Sequence, residues 1–136
     1  MPGSVLALDV GDARIGVAVA NIEARLPRPL TTLQNDESFF ELLHKLIAEH
    51  NVQTLVVGLP RGMEGQETAQ TQKVAAFIML LRKKVALPLF VQDEAATSVK
   101  AEEELRARGK PYEKSAIDAL AATYILEDYL GETEHV

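Results

Sequence analysis

Four carboxylates in this chain stand where elements of structure end: Asp9, the adjacent pair Asp93 and Glu94, and Asp118. Asp9 is the one ionisable residue of Val5–Val10, a short apolar run without helical spacing that predicts a strand buried on both faces. Gly11-Asp12-Ala13 is a turn cluster, so Arg14–Ala20 is expected to return as the second strand of a hairpin. Asp9 then sits beside a glycine turn, where an ionised group either acts on something or caps the turn through an Asx-type hydrogen bond. Pro88–Gln92 reads as a buried strand ending directly on Asp93-Glu94, and strand alternation allows one of these two to share Asp9's face. Asp118 has two readings of its own. Ser115 to Asp118 matches a capping box with Ser115 at the N-cap, while Ala119, Ala121 and Ala122 make a thin surface that lets the helix lie close on a sheet and carry Asp118 toward the strand ends. Gathered at one place, three carboxylates without histidine or cysteine form a hard oxygen site of the kind that holds Mg²⁺ or Mn²⁺, with water and substrate phosphates completing the shell. Two such ions about 4 Å apart would activate a water and stabilise the leaving oxygen of a phosphodiester.

The elements that must position these acids read in the order β-β-β-α-β-α-β-α-α. Ile15, Val17 and Val19 alternate with Gly16, Ala18 and Ala20 in the second strand, leaving one nearly bare face open to a helix or a ligand. Arg28–Leu33 suits an edge strand, and a helix over about Glu37–Glu49 follows, with Asn51 as its stop. His44 and His50 fall on or beyond its polar side as surface residues. Thr54–Gly58 is another buried strand, and the loop from Leu59 to Gln66 after it is a βα connection, the usual place for ligand contacts in a parallel sheet. It is either a plain connector or a set of backbone N–H groups for a phosphate, and it carries no Walker lysine. A long helix over Glu67–Val85, a helix capped by Thr97 or Ser98 and running to about Arg108, and a last helix over Ala116–Leu130 complete the chain. With the first and later strands as parallel neighbours, Asp9 and Asp93-Glu94 share one edge of the sheet.

At 136 residues the chain is expected to form one domain, 1–136, with a frayed acidic tail over 131–136. A hydrophobic content of 47% with 25% charged residues is that of a soluble protein, and no apolar run approaches a membrane span. No basic-then-apolar leader opens the sequence, so a cytoplasmic protein without a membrane partner is expected. The absence of cysteine excludes disulfides and thiolate metal sites. A net charge of −6 argues against binding nucleic acid by bulk electrostatics and leaves local basic patches, at Arg82-Lys83-Lys84 and at Arg106, Arg108, Lys110 and Lys114.

Four stretches in order carry a resemblance: ALDVGDARIGVAVA at Ala7–Ala20, VVGLPRGMEGQE at Val56–Glu67, QDEAATS at Gln92–Ser98 and IDALAATYIL at Ile117–Leu126. Together they resemble the YqgF family, the pre-16S rRNA nucleases also described as Holliday-junction-resolvase-like. The resemblance implies a ribonuclease H-like, three-layer α/β fold: a five-stranded mixed sheet of three antiparallel and two parallel strands, with helices on both faces. It further implies that Asp9, Glu94 and Asp118 are catalytic acids and that these three and Asp93 ligate Mg²⁺ or Mn²⁺, as two ions. Arg14, Gly58, Pro60, Arg61, Gly65 and Thr97 are implied as substrate contacts. The implied partner is nucleic acid, with precursor ribosomal RNA and 5′-end maturation of pre-16S rRNA first and a four-way DNA junction as the alternative. Ribosome association and a monomer or homodimer are also implied. The family usually has an arginine directly after the Asp-Glu pair, where this chain has Ala95. That departure leaves a third reading open, a catalytically weak nucleic-acid-binding factor of the ribosome. A sugar-kinase or actin-like ATPase needs two such domains, and this chain is long enough for one.

Overall fold

The structure is a computed structural model that describes residues 3–94, 103–104, 106–109 and 114–134, with backbone alone at 114, 115, 133 and 134. The strands are β1 (Ser4–Val10), β2 (Arg14–Asn21), β3 (Arg28–Gln34), β4 (Val52–Pro60) and β5 (Leu89–Glu94), and the helices are α1 (Phe39–Glu49), α2 (Ala69–Lys84) and α3 (Lys114–Glu134). Among the described residues the strands form one sheet in the order β3-β2-β1-β4-β5. β1 pairs antiparallel with β2 and parallel with β4, β2 pairs antiparallel with β3, and β4 pairs parallel with β5. The expected mixed sheet, with helices on both faces, is therefore present.

The alternation in β1 and β2 decides which helices cover which face. Leu6, Leu8, Val10, Ile15, Val17 and Val19 point to one side and pack with Phe39 and Leu43 of α1 and with Val74, Ile78 and Leu81 of α2. Val5, Ala7, Ala18 and Ala20 point to the other side, with Val56 of β4, and receive Ala122, Ile125, Leu126 and Leu130 of α3. Small residues on this second face let α3 approach the backbone, so the bare side of β2 is occupied by a helix.

Several boundaries differ from the sequence expectation for local reasons. α1 starts at Phe39 rather than Glu37, because Asp36 accepts hydrogen bonds from the N–H and Oγ of Ser38 and holds the chain in a turn until the N-cap. Its end is as expected, with Asn51 at φ 50° leaving the helix; His44 is exposed, and His50 is half-buried at the C-cap. α2 begins at Ala69 on a reciprocal cap in which Thr68 accepts from the Thr71 N–H and Thr71 accepts from the Thr68 N–H. β5 runs on through Asp93 and Glu94, which pair with Leu59 and Pro60 of β4. α3 is already helical at Lys114, so the backbone of Ser115 lies inside the helix rather than at its N-cap. At its other end α3 runs past the expected Leu130 to Glu134; Glu132 there accepts a hydrogen bond from Gln92 Nε2 of β5. The expected helix from Thr97 or Ser98 lies mostly outside the described residues, of which Glu103, Glu104, Arg106 and Ala107 are helical.

Candidate active site

Asp9 lies one residue from the C-terminal end of β1, opposite Gly16 of β2. As an odd-numbered residue it follows Val5 and Ala7 onto the face covered by α3. At Gly16 that helix touches the sheet: a Cβ built there would lie 1.9 Å from the carbonyl oxygen of Asp118. The backbone of Asp118 is thus seated on the residue paired with Asp9, and two carboxylates 109 positions apart in the sequence become neighbours. The consequence is electrostatic. Burial, first, and the charge of Asp118, second, push the Asp9 carboxyl up from 3.8 to about 6. The glycine turn after Asp9 is closed by other groups, Gly11 N–H to the Arg14 carbonyl and Asn35 Nδ2 to the Gly11 carbonyl. No turn hydrogen bond among the described residues reaches the Asp9 carboxylate.

Arg14 rises from the same face of β2, two residues before Gly16, and its Nε donates to Asp118 Oδ2 at 2.7 Å. The two remaining acids separate. Gly58 pairs with Gln92 and Pro60 with Glu94, and Phe90, Gln92 and Glu94 alternate onto the α3 face, where Phe90 meets Tyr129. Glu94 therefore shares Asp9's side, and its Oε1 is buried. Asp93 is directed to the opposite face, where its Oδ1 accepts from Arg61 Nε at 3.2 Å. β4 separates β5 from β1, and Glu94 lies two residues beyond Gln92, which is level with Asp9, so the backbone at Glu94 is about 12 Å from that at Asp9.

The residues expected to contact substrate are dispersed. Gly58 is buried beneath Ile125, and its lack of a side chain makes room for that residue of α3. The Pro60 carbonyl accepts from Thr71 Oγ1, which ties the loop to the start of α2, and the Arg61 N–H donates to the Glu94 carbonyl at 2.8 Å. Gly65 turns the exposed loop tip at φ 84° and its N–H donates to the Gly62 carbonyl. Thr97 and Ala95 lie outside the described residues. Lys73 at the start of α2 reaches Asp12 at 3.4 Å. Sequence reading did not find the Arg14–Asp118 and Arg61–Asp93 pairs. The first had a trace in the shared face of Arg14, Gly16 and Ala18; the second had none.

Among the described residues no three of His, Cys, Asp or Glu come close enough to hold one ion. Asp9 and Asp118 do fit a hard divalent cation. Both offer carboxylate oxygens, Mg²⁺ takes one or two carboxylates with water and substrate oxygens, and the mutual repulsion at Asp9 together with a guanidinium on Asp118 marks a place that favours positive charge.

The family model described as Holliday junction resolvase, RuvX, matches residues 3–132. A Chloroflexus aggregans protein named "Putative pre-16S rRNA nuclease" is 42% identical over 131 residues, covering 93% of this chain and 92% of the relative. The chain belongs to the RuvX (YqgF) family. A Chloroflexus aurantiacus protein of the same name is also 42% identical, over 130 residues, covering 93% of this chain and 85% of the relative. Thermus thermophilus RuvC, solved with a Holliday junction substrate, superposes with a TM-score of 0.58 at 16% identity, covering 98% of this chain and 97% of that one. That likeness gives the fold, which is ribonuclease H-like. The RuvX family is one of nucleases and resolvases, whose common chemistry is phosphodiester hydrolysis.

Proposed function

We propose that this RuvX-family chain is a metal-dependent nuclease that hydrolyses phosphodiester bonds in structured RNA, acting in the cytoplasm on the 5′ end of precursor 16S rRNA. The carrying observation is the seating of the Asp118 backbone on Gly16, which brings its carboxylate near enough to Asp9 for the two charges to interact at the C-terminal edge of the sheet. Asp9, Asp118 and Glu94 would hold Mg²⁺ or Mn²⁺, two ions for the full reaction, which supply an activated water and charge for the leaving oxygen. Asp9 presents a partly desolvated carboxylate, α3 fixes the position of Asp118, and β5 holds Glu94 on the same face through its pairing with Pro60. Asp93 acts by holding Arg61 at the rim rather than as a ligand. The site's own charge is negative, as is the chain's, so the divalent cations and the rim cations Arg14, Arg61 and Lys73 are what make the edge attractive to phosphate.

A DNA-junction resolvase is the second reading, favoured by the fold shared with RuvC. The test is cleavage in Mn²⁺ of precursor 16S rRNA and of a four-way DNA junction, each with an Asp9→Asn control. Metal-dependent cutting of the RNA that Asp9→Asn loses supports the proposal. Cutting of the junction alone transfers it to the resolvase, and cutting of neither substrate by the folded protein, with RNA still bound, makes the chain a binding factor.

A further inference from the structure

We propose that Arg14 is the counter-ion of Asp118 in the metal-free protein and is exchanged for the divalent cation, so that loading the site releases its guanidinium to a substrate phosphate. The inference rests on the metal-dependent nuclease reading. Its basis is the 2.7 Å bond from Arg14 Nε to Asp118 Oδ2, in which the side chains are 35% and 19% exposed. The two partners differ in freedom. Asp118 is fixed by its own backbone, which lies against Gly16, whereas Arg14 ends in a long side chain at the half-exposed start of β2. A cation entering between Asp9 and Asp118 competes with the guanidinium for the same carboxylate and repels it, and the mobile partner is the one that yields. Because Arg14 points to the face that carries Asp9, its freed guanidinium would remain on the side of the sheet whose carboxylates would hold the cation. Guanidinium geometry matches two phosphate oxygens as it matches a carboxylate. The exchange therefore gives Asp118 a counter-ion in the metal-free site and withholds a phosphate contact until metal is present.

The test is Mn²⁺ binding without nucleic acid, read from the electron paramagnetic resonance of free Mn²⁺, for the parent, Arg14→Gln, Arg14→Lys and Asp9→Asn. Exchange predicts that Arg14→Gln binds Mn²⁺ tighter by on the order of fivefold, the size of one partly exposed ion pair, with Arg14→Lys between it and the parent. Unchanged or weaker binding in Arg14→Gln overturns the exchange, weaker binding meaning that Arg14 orients Asp118 for the metal. Should Arg14→Gln fail to fold, Arg14→Lys decides by the same direction. A second readout is the salt dependence of binding to an RNA hairpin, compared between Ca²⁺ and EDTA. Arg14→Gln should lower the slope by about one in Ca²⁺ and leave it unchanged in EDTA; a slope lowered equally in both overturns the release. If the parent binds no Mn²⁺ that Asp9→Asn removes, the nuclease reading itself fails; if it does bind such Mn²⁺ and Arg14→Gln is no tighter, the exchange alone fails.

Discussion

Replacing Asp9 by asparagine should stabilise the metal-free protein, and only where Asp9 is ionised. The carboxyl is pushed up to about 6 in the folded chain by burial and by Asp118. Below its ordinary value of 3.8 Asp9 is protonated in both states and has no charge to cost anything. Between 3.8 and about 6 the folded state binds the extra proton, so its stability falls as pH rises. Above that window the whole cost is present, and a shift of this size corresponds to about 3 kcal/mol. Asparagine keeps the shape and carries no charge, so Asp9→Asn should melt up to about 10 °C above the parent at pH 7.5 in EDTA, and close to it at pH 4. Saturating Mn²⁺ should reverse the order, because a ligand that binds only the folded parent raises its melting temperature. Thermal unfolding of both proteins from pH 4 to pH 8, with EDTA or Mn²⁺, makes the comparison. A difference in EDTA that does not change between pH 4 and pH 8 would refute the reasoning.

Gly16→Ala should lose stability by about 1–3 kcal/mol or more, since its Cβ would meet the Asp118 carbonyl at 1.9 Å and a helix backbone must shift; chemical denaturation measures this, and a neutral result would mean that α3 is not seated on β2. Gly58→Ala meets the Ile125 side chain, most closely at Cδ1, so Ile125→Val, which removes that atom, should recover part of its loss in a double-mutant cycle. Thr68→Ala removes one half of the α2 cap and should cost about 1 kcal/mol, read as a lower denaturation midpoint.

Much of the fold was legible because β1 and β4 are buried on both faces and so appear as continuous apolar runs, and because Gly16, Ala18 and Ala20 announce a face that something approaches closely. Strand ends were less so, since β5 extends to Glu94 through pairing with Pro60, a partner that local sequence does not reveal. Ser115 to Asp118 carries the pattern of a capping box, yet α3 is helical from Lys114, and Asp118 meets Arg14 and Gly16 of β2. The same limit applies to the site. Alternation left the choice between Asp93 and Glu94 open until the register placed Glu94 on the α3 face, and the bond from Arg14 to Asp118 spans 104 positions. Gly58, expected as a lining residue, lies against Ile125, a contact that local sequence does not reveal.

The claim at the centre of the account is that Asp9 and Asp118 form a seat for a hard divalent cation. Crystals soaked in Mn²⁺ and measured for anomalous scattering at the manganese edge test it directly. The account predicts a peak between the two carboxylates in the parent and none there in Asp9→Asn. Manganese bound only elsewhere, or an unchanged peak in Asp9→Asn, would contradict it.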